Sequence, residues 1–271
     1  MSVAGASLTR RLLAEALGTA LLLAVVVGSG IMGERLGGGN AGIALLGNSI
    51  ATGAALYALI TIFAPWSGAH FNPVVTLVER AAGRISSADA VWFIAVQFIA
   101  AVLGVFIAHL MFELPLISPS QHMRTGGAQW FGEFIATFGL LTVILHGSRA
   151  QAVQVPAMVA AYITAAYWFT SSTSFANPAV TVARSLSDTF AGIRPMDAPG
   201  FMVAQCAGAA AAWLLFRWMT QGAERDQETP IKTLRTPIGE AFQAFLPQTA
   251  MLARTLAFGN ISKPKNLSPR I

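Results

Sequence analysis

Charge is what this sequence most lacks. Asp, Glu, Lys and Arg make up 11% of its 271 residues, where a soluble globular domain carries about 25%. The few charges are also segregated. Between Arg35 and Glu79 there are 43 consecutive uncharged residues, and between Arg149 and Arg184 there are 34. Cysteine is nearly absent. The single Cys206 lies in an apolar run, so no intramolecular disulfide is available. His70, His109 and His146 fall at no zinc-site spacing, and neither a metal nor a cofactor is expected. These shortages exclude an ordinary soluble enzyme, a disordered chain and a disulfide-stapled secreted scaffold.

Apolar residues are in excess, at 55% of the chain with a mean hydropathy of +0.61. A helix needs about 20 such residues to cross roughly 30 Å of hydrocarbon. Six stretches meet that length: Leu12–Met32, Ala41–Ala64, Ala90–Phe112, Ala128–His146, Val153–Ser171 and Ala198–Met219. The chain therefore reads as an all-α, multi-pass membrane protein. The first apolar run is too long for a signal-peptide core and contains Glu15, so no cleavable leader is expected.

A net charge of +5 and a pI near 10 raise nucleic acid as a partner, but the basic residues form no aromatic-interleaved patch. They sit at the ends of apolar runs, where they set topology beside an acidic lipid surface. With a cytoplasmic N-terminus, that side receives Arg10, Arg11, Arg80, Arg84, Arg149, Arg217, Arg225, Lys232 and Arg235, against Arg35, Arg124, Arg184 and Arg194 opposite. Both termini are thus expected in the cytoplasm. The membrane domain is expected over residues 1–220. A polar cytoplasmic tail, weakly amphipathic around Ile238–Phe258 and poorly ordered, is expected over 221–271.

Three features recur in order. Glu15-Ala16-Leu17-Gly18-Thr19 parallels Glu133-Phe134-Ile135-Ala136-Thr137. Asn72-Pro73-Val74-Val75-Thr76 parallels Asn177-Pro178-Ala179-Val180-Thr181, and Gln97 parallels Gln205. Each half, about 10–112 and 128–220, holds three spans. An odd number of spans forces the second half to enter from the opposite side, so the halves are inverted repeats.

Asn is a preferred helix N-cap and Pro is favoured at the first helical position. Each Asn-Pro therefore opens a helix of about 8–10 residues, roughly 13–15 Å at 1.5 Å per residue, or half a bilayer. Under inverted symmetry the two half-helices dip in from opposite faces and meet N-terminus to N-terminus. Irregular backbone at that depth is tolerated only where it is buried in protein or lines a water-filled cavity. The paired N-termini concentrate positive potential and the Asn amides add donors, so the site suits water or a neutral hydroxylated solute and repels cations and protons. It offers no nucleophile.

With these residues the chain resembles the aquaporin, or major intrinsic protein, family over roughly Leu12 to Met219. The match includes the Glu-x-x-x-Thr starts, His70-Phe71-Asn72-Pro73-Val74-Val75-Thr76 and the two glutamines. Its first motif is Asn-Pro-Val where the family usually has Asn-Pro-Ala. The resemblance implies six transmembrane helices plus two re-entrant half-helices, a pore in each subunit, a homotetramer, and a place in the cell's inner (plasma) membrane. It puts the central constriction at Asn72, Pro73, Val74, Asn177, Pro178 and Ala179.

The same resemblance assigns the outer selectivity filter to Thr52, Ala165, Ser174 and Val180. Water-selective relatives carry large aromatic, imidazole and guanidinium groups there, so this filter is expected to be wide and neutral. Val180 stands where most relatives have Arg. Such filters resemble a bacterial aquaglyceroporin-like branch associated with arsenic resistance. Arg184 lies one turn further on, a candidate for pore or loop support that partly restores positive charge, and is expected to face away from the narrowest point. His70 is expected at the cytoplasmic side of the pore. Glu15 and Glu133 are intramembrane carboxylates and so functional candidates; accepting N–H groups from the re-entrant loops is favoured over a proton relay.

The expected function is passive conduction of glycerol-like polyols, trihydroxy metalloid acids such as arsenite, and water, with protons and ions excluded. A mainly water-conducting channel is the alternative, and a proton-coupled transporter a more distant one. The partners are small neutral solutes, water and the lipid bilayer, with no nucleic acid. No cluster supplies nucleophile, base and orienting group together, so an enzyme is not expected.

Overall fold

The computed structural model describes residues 6–228 and is almost wholly helical. Its helices are α1 (Leu8–Leu36), α2 (Ala41–Ser67), α3 (Pro73–Ala81), α4 (Ser87–Met111), α5 (Gly127–Ala150), α6 (Val155–Phe169), α7 (Pro178–Arg184) and α8 (Ala198–Glu228). Six are long and apolar enough to cross a membrane. The other two, α3 and α7, have nine and seven residues. One compact unit ends at Thr220. Apart from the last turns of α8, the tail read over 221–271 lies outside the described residues.

Local sequence explains where these helices begin and end. Asn40 caps α2, its side chain accepting from the N–H groups of Gly42 and Ile43. At the other end Gly68 adopts the left-handed conformation (φ +92°), and its N–H returns to the Ala64 carbonyl. Ser86 caps α4 by accepting from Asp89 N–H. Asn72 and Asn177 cap α3 and α7, and in each case the following Pro sits in the first turn.

Elements α1–α4 and α5–α8 are equivalent in order and in length class. The equivalence extends to close helix crossings. A Cβ on Gly104 in α4 would run into the Ala20 carbonyl of α1, and one on Gly208 in α8 would run into the Phe134 carbonyl of α5. It extends also to strained backbone. Ala69 and Phe71 have φ of 51° and 50°; Ser174 and Ala176, at corresponding positions, have 52° and 50°. Non-glycine residues held in that region cost of order 1–3 kcal/mol each, so the surroundings must impose it.

The half-helices meet end to end. Asn72 Nδ2 donates to the Ala176 carbonyl and Asn177 Nδ2 to the Phe71 carbonyl, both at 2.8 Å. Apolar residues from both repeats fill the interior in one continuous cluster, from Leu22 and Val26 of α1 to Leu140, Leu141 and Leu145 of α5 and Ile163 of α6. The outside is equally apolar, with Leu13, Leu17, Ile50, Ile62, Ile99, Phe131 and Leu214 exposed, as expected of helices facing lipid. The segment joining the halves crosses the outer end of α7. Ser118 and Ser120 donate N–H to the carbonyls of Leu186 and Ser185, both at 3.0 Å, and His109 Nε2 lies 2.8 Å from Ser187 Oγ.

Candidate functional site

Each motif asparagine uses its side chain twice. Asn72 Oδ1 accepts from Val74 N–H at 3.1 Å. Asn177 Oδ1 accepts from Ala179 and Val180 N–H at 3.0 and 3.3 Å. The same amides donate across the joint between the repeats, as given above. Each Nδ2 keeps a second hydrogen free of that bond. Pro73, Val74, Pro178 and Ala179 are buried behind the two caps.

The left-handed loops that deliver these asparagines hang on the two buried carboxylates. Glu15 Oε1 accepts from Ser67 Oγ (2.6 Å) and His70 N–H (2.9 Å); its Oε2 accepts from Phe71 N–H and Gln97 Nε2, both at 2.8 Å. Glu133 repeats the pattern. Its oxygens accept from Phe175 and Ala176 N–H at 2.8 Å and from Gln205 Nε2 at 2.6 Å. Each glutamine also donates to a threonine hydroxyl, Gln97 to Thr76 (3.0 Å) and Gln205 to Thr181 (2.9 Å). Those hydroxyls donate to the Asn72 and Asn177 carbonyls. Charge-assisted bonds of this kind are about twice as strong as neutral ones, which accounts for the strained backbone being held.

A cavity of about 1230 Å³ runs past the joint. The end expected to face the cytoplasm is polar, with Arg11, His70, Glu79, Arg84 and Arg149. Its middle is apolar, with Leu22, Leu56, Ile60, Val75, Ile144, Val159 and Ile163, and Asn72 and Asn177 face it there. The opposite end, expected to be the outer one, brings together Thr52, Tyr167, Ser174, Phe175, Val180 and Arg184. His70 Nδ1 lies 3.0 Å from Thr76 Oγ1, and its ring packs against Phe93 with centroids 5.3 Å apart.

Two expectations about the outer end are corrected. Ala165 is exposed on the outside of α6 and does not line the cavity. Tyr167 takes its place, buried, with its hydroxyl 3.2 Å from Thr52 Oγ1. Two residues along a helix is a rotation of roughly 200°, so an offset of two exchanges the cavity for the lipid face. The signal was present in the sequence: Val159, Ile163 and Tyr167 recur every fourth residue and share one face. Arg184, a candidate for pore or loop support expected to face away from the narrowest point, lines the cavity and is fully buried. Its Nε donates to the Ala191 carbonyl, and its guanidinium carbon lies 3.4 Å from the Phe175 ring centroid. The outer end is therefore neither free of aromatics nor neutral.

Arg124, from the segment joining the halves, was not foreseen as part of the site. Its Nε donates to the Gly192 carbonyl (2.8 Å), one Nη to the Ser172 carbonyl (3.2 Å) and Thr173 Oγ1 (3.4 Å), and the other to the Phe190 carbonyl (3.4 Å). It clasps the loop entering α7 to the loop leaving it. Burial pulls this guanidinium down to about 10, which leaves it charged at neutral pH.

The arrangement offers hydrogen-bond partners along a mostly apolar wall. Such a lining can exchange hydrogen bonds with a small hydroxylated solute while its apolar side packs against carbon-bound hydrogens.

Residues 2–166 and 147–269 each match the major intrinsic protein family. The aquaglyceroporin AqpS of Rhizobium meliloti is 54% identical over 216 residues, covering 80% of this chain and 92% of that protein. Aquaporin NIP3-1 of Zea mays is 33% identical over 143 residues, 51% of this chain and 46% of that protein. Among solved structures, the aquaglyceroporin from Plasmodium falciparum superposes with a TM-score of 0.59 at 19% identity, covering 78% of this chain and 96% of that one.

Proposed function

This chain belongs to the major intrinsic protein family, and on that premise we propose that it conducts small uncharged hydroxylated solutes through a pore in each subunit. It is a multi-pass membrane protein and a passive channel rather than an enzyme, and its aquaglyceroporin relatives support conduction of water and small solutes such as glycerol. The finer reading is that glycerol-like polyols, trihydroxy metalloid acids such as arsenite, and water all pass, while protons and ions do not. Glycerol and arsenous acid share what the lining recognises: no net charge at neutral pH, a compact body and three hydroxyls.

The observation that supports this most is the cavity that passes both motif asparagines and carries polar groups at each end. Asn72 and Asn177, backed by Pro73, Val74, Pro178 and Ala179, form the central constriction. Thr52, Ser174 and Val180, with Tyr167 instead of Ala165, form the outer one. The exposed apolar belt is covered by lipid and by neighbouring copies in a homotetramer. The protein sits in the inner (plasma) membrane with both termini in the cytoplasm, in keeping with Arg10, Arg11, Arg80, Arg84 and Arg149 at one end.

A second reading, conduction mainly of water, draws on Tyr167 and Arg184 at the outer end, which narrow it. Stopped-flow volume changes of proteoliposomes separate the readings. Water, glycerol and arsenite permeabilities are all expected to exceed those of empty vesicles. Fast water with background glycerol would favour the second reading. Background rates for both water and glycerol would end the channel reading.

A further inference from the structure

The two repeats fill the space behind their joint differently. Where the first carries Gly18 on α1 and Phe71 just before its asparagine, the second carries Ala136 on α5 and Ala176. Phe71 is 2% exposed, and both alanines are fully buried. A Cβ on Gly18 would run into the Phe71 ring at Cδ1, Cε1 and Cζ. The ring therefore sits in a notch that exists because residue 18 has no side chain.

Phe71 is itself part of the joint. Its N–H donates to Glu15 Oε2 and its carbonyl accepts from Asn177 Nδ2, both at 2.8 Å. Its φ is held at 50°, and Phe63 meets its ring edge-on, with centroids 6.1 Å apart. A buried ring with α1 on one side and Phe63 on another has no room to swing away. An extra methyl at position 18 must then shift the backbone that carries the ring. The carbonyl so moved is the one that aims Asn177, a residue of the opposite repeat. Asn72 is aimed instead by the Ala176 carbonyl, in the repeat where both positions hold alanine.

We propose that Gly18 is a positioning residue for solute conduction, acting through Phe71 on the amide of Asn177. Ring and notch in the first repeat set the donor of the second. This rests on the channel reading, in which the remaining Nδ2 hydrogen of Asn177 meets the oxygens of a passing polyol.

The test uses proteoliposomes of the full chain at matched protein content, with glycerol and water as probes. Gly18→Ala should lower glycerol permeability about threefold or more. Adding Phe71→Ala copies the alanine pair of the second repeat and should recover most of that loss. Coupling is read from double variants. Added to Asn177→Ala, Gly18→Ala should cost little more, because its route is already cut; added to Asn72→Ala, it should cost its full factor again. If Gly18→Ala does not assemble, Phe71→Ala alone carries the test. It empties the notch and should lower flux, and the methyl of Gly18→Ala should then restore it. Parent-level flux in assembled Gly18→Ala, no gain from the paired alanines, or equal further losses in the Asn177→Ala and Asn72→Ala backgrounds would each overturn the role while leaving the channel reading intact. A parent no faster than empty vesicles would instead remove the channel reading itself.

Discussion

A carboxylate at zero exposure needs donors around both oxygens, and Glu133 has them from two consecutive backbone N–H groups and Gln205. Hydrogen bonds to charged groups contribute about 1.5–3 kcal/mol each, and breaking a buried charged network typically costs about 3–5 kcal/mol. Glu133→Gln turns an NH₂ group towards those donors, so it should destabilise the protein by that order. Thermal unfolding in detergent would register it as a large drop in Tm or as lost folded protein, and a Tm within a degree of the parent would refute the assignment. Glu15→Gln should lose at least as much, because Glu15 accepts the three equivalent bonds and one more from Ser67 Oγ. Val180→Arg tests the neighbouring constriction. It adds a second guanidinium one turn from Arg184, filling the apolar collar, so the glycerol-to-water ratio should fall severalfold at equal expression. An unchanged ratio would mean that Val180 does not border the solute path. What could be read at this scale divides cleanly. The capping asparagines and the paired Glu, Gln and Thr were legible because they recur in order in both halves. Ala165 was misplaced and Tyr167 missed because orientation on a helix changes by about 100° per residue, and alignment on distant motifs does not resolve that. Arg124 had no readable signal, since its role exists only once three separate loops converge.

Among the elements, the α1/α4 and α5/α8 crossings decide how closely each repeat can pack. Gly104 lies against the Ala20 carbonyl, and Gly208 against the Phe134 carbonyl and the Phe138 nitrogen. These neighbours are backbone and have no rotamer by which to yield. Small residues at such crossings let membrane helices approach. Gly208→Leu should therefore push α8 from α5, with an overpacking cost of about 1–3 kcal/mol or more. Because Gln205 lies one turn away on α8 and donates to Glu133, solute flux should fall along with stability. Retained Tm and flux would show that the crossing tolerates a side chain. The half-helices depend on their caps in a different way. Asn177→Leu removes a cap worth about 1 kcal/mol, removes the donor to the Phe71 carbonyl and puts a hydrophobe at the joint. Folded protein with strongly reduced glycerol flux is expected, and parent-level flux would place Asn177 outside the path. At this scale the sequence was legible almost throughout: the six spans, both short helices and their opposed entry follow from hydropathy, Asn-Pro and an odd span count. The segment between the halves was not. Its course over the end of α7 is set by backbone pairing of Ser118 and Ser120 with Leu186 and Ser185, for which no periodic pattern exists.

For the molecule as a whole, the open issue is whether its inverted repeats move or stand still. Proton-coupled transporters are also built from inverted repeats with intramembrane carboxylates, so topology alone does not separate the two classes. The bonding of the carboxylates does. Both oxygens of Glu15 and of Glu133 accept at least one hydrogen bond, and in each residue two of the donors are backbone N–H groups of the left-handed loops. Those bonds tie each carboxylate to the strained loop that carries its asparagine, so moving it would disturb the joint. The half-helices are fastened to each other across that joint by Asn72 and Asn177, which opposes rocking of one repeat against the other. A static pore follows. Glycerol entry into proteoliposomes should rise linearly with its gradient, and an imposed pH difference of either sign should leave the initial rate unchanged. Proton flux, followed by an internal pH dye, should stay at the level of empty vesicles, because the N-termini of α3 and α7 place positive potential where screening is weakest. Saturating uptake, or glycerol accumulated against its gradient under a pH difference, would mean that a carboxylate does cycle and that the repeats move.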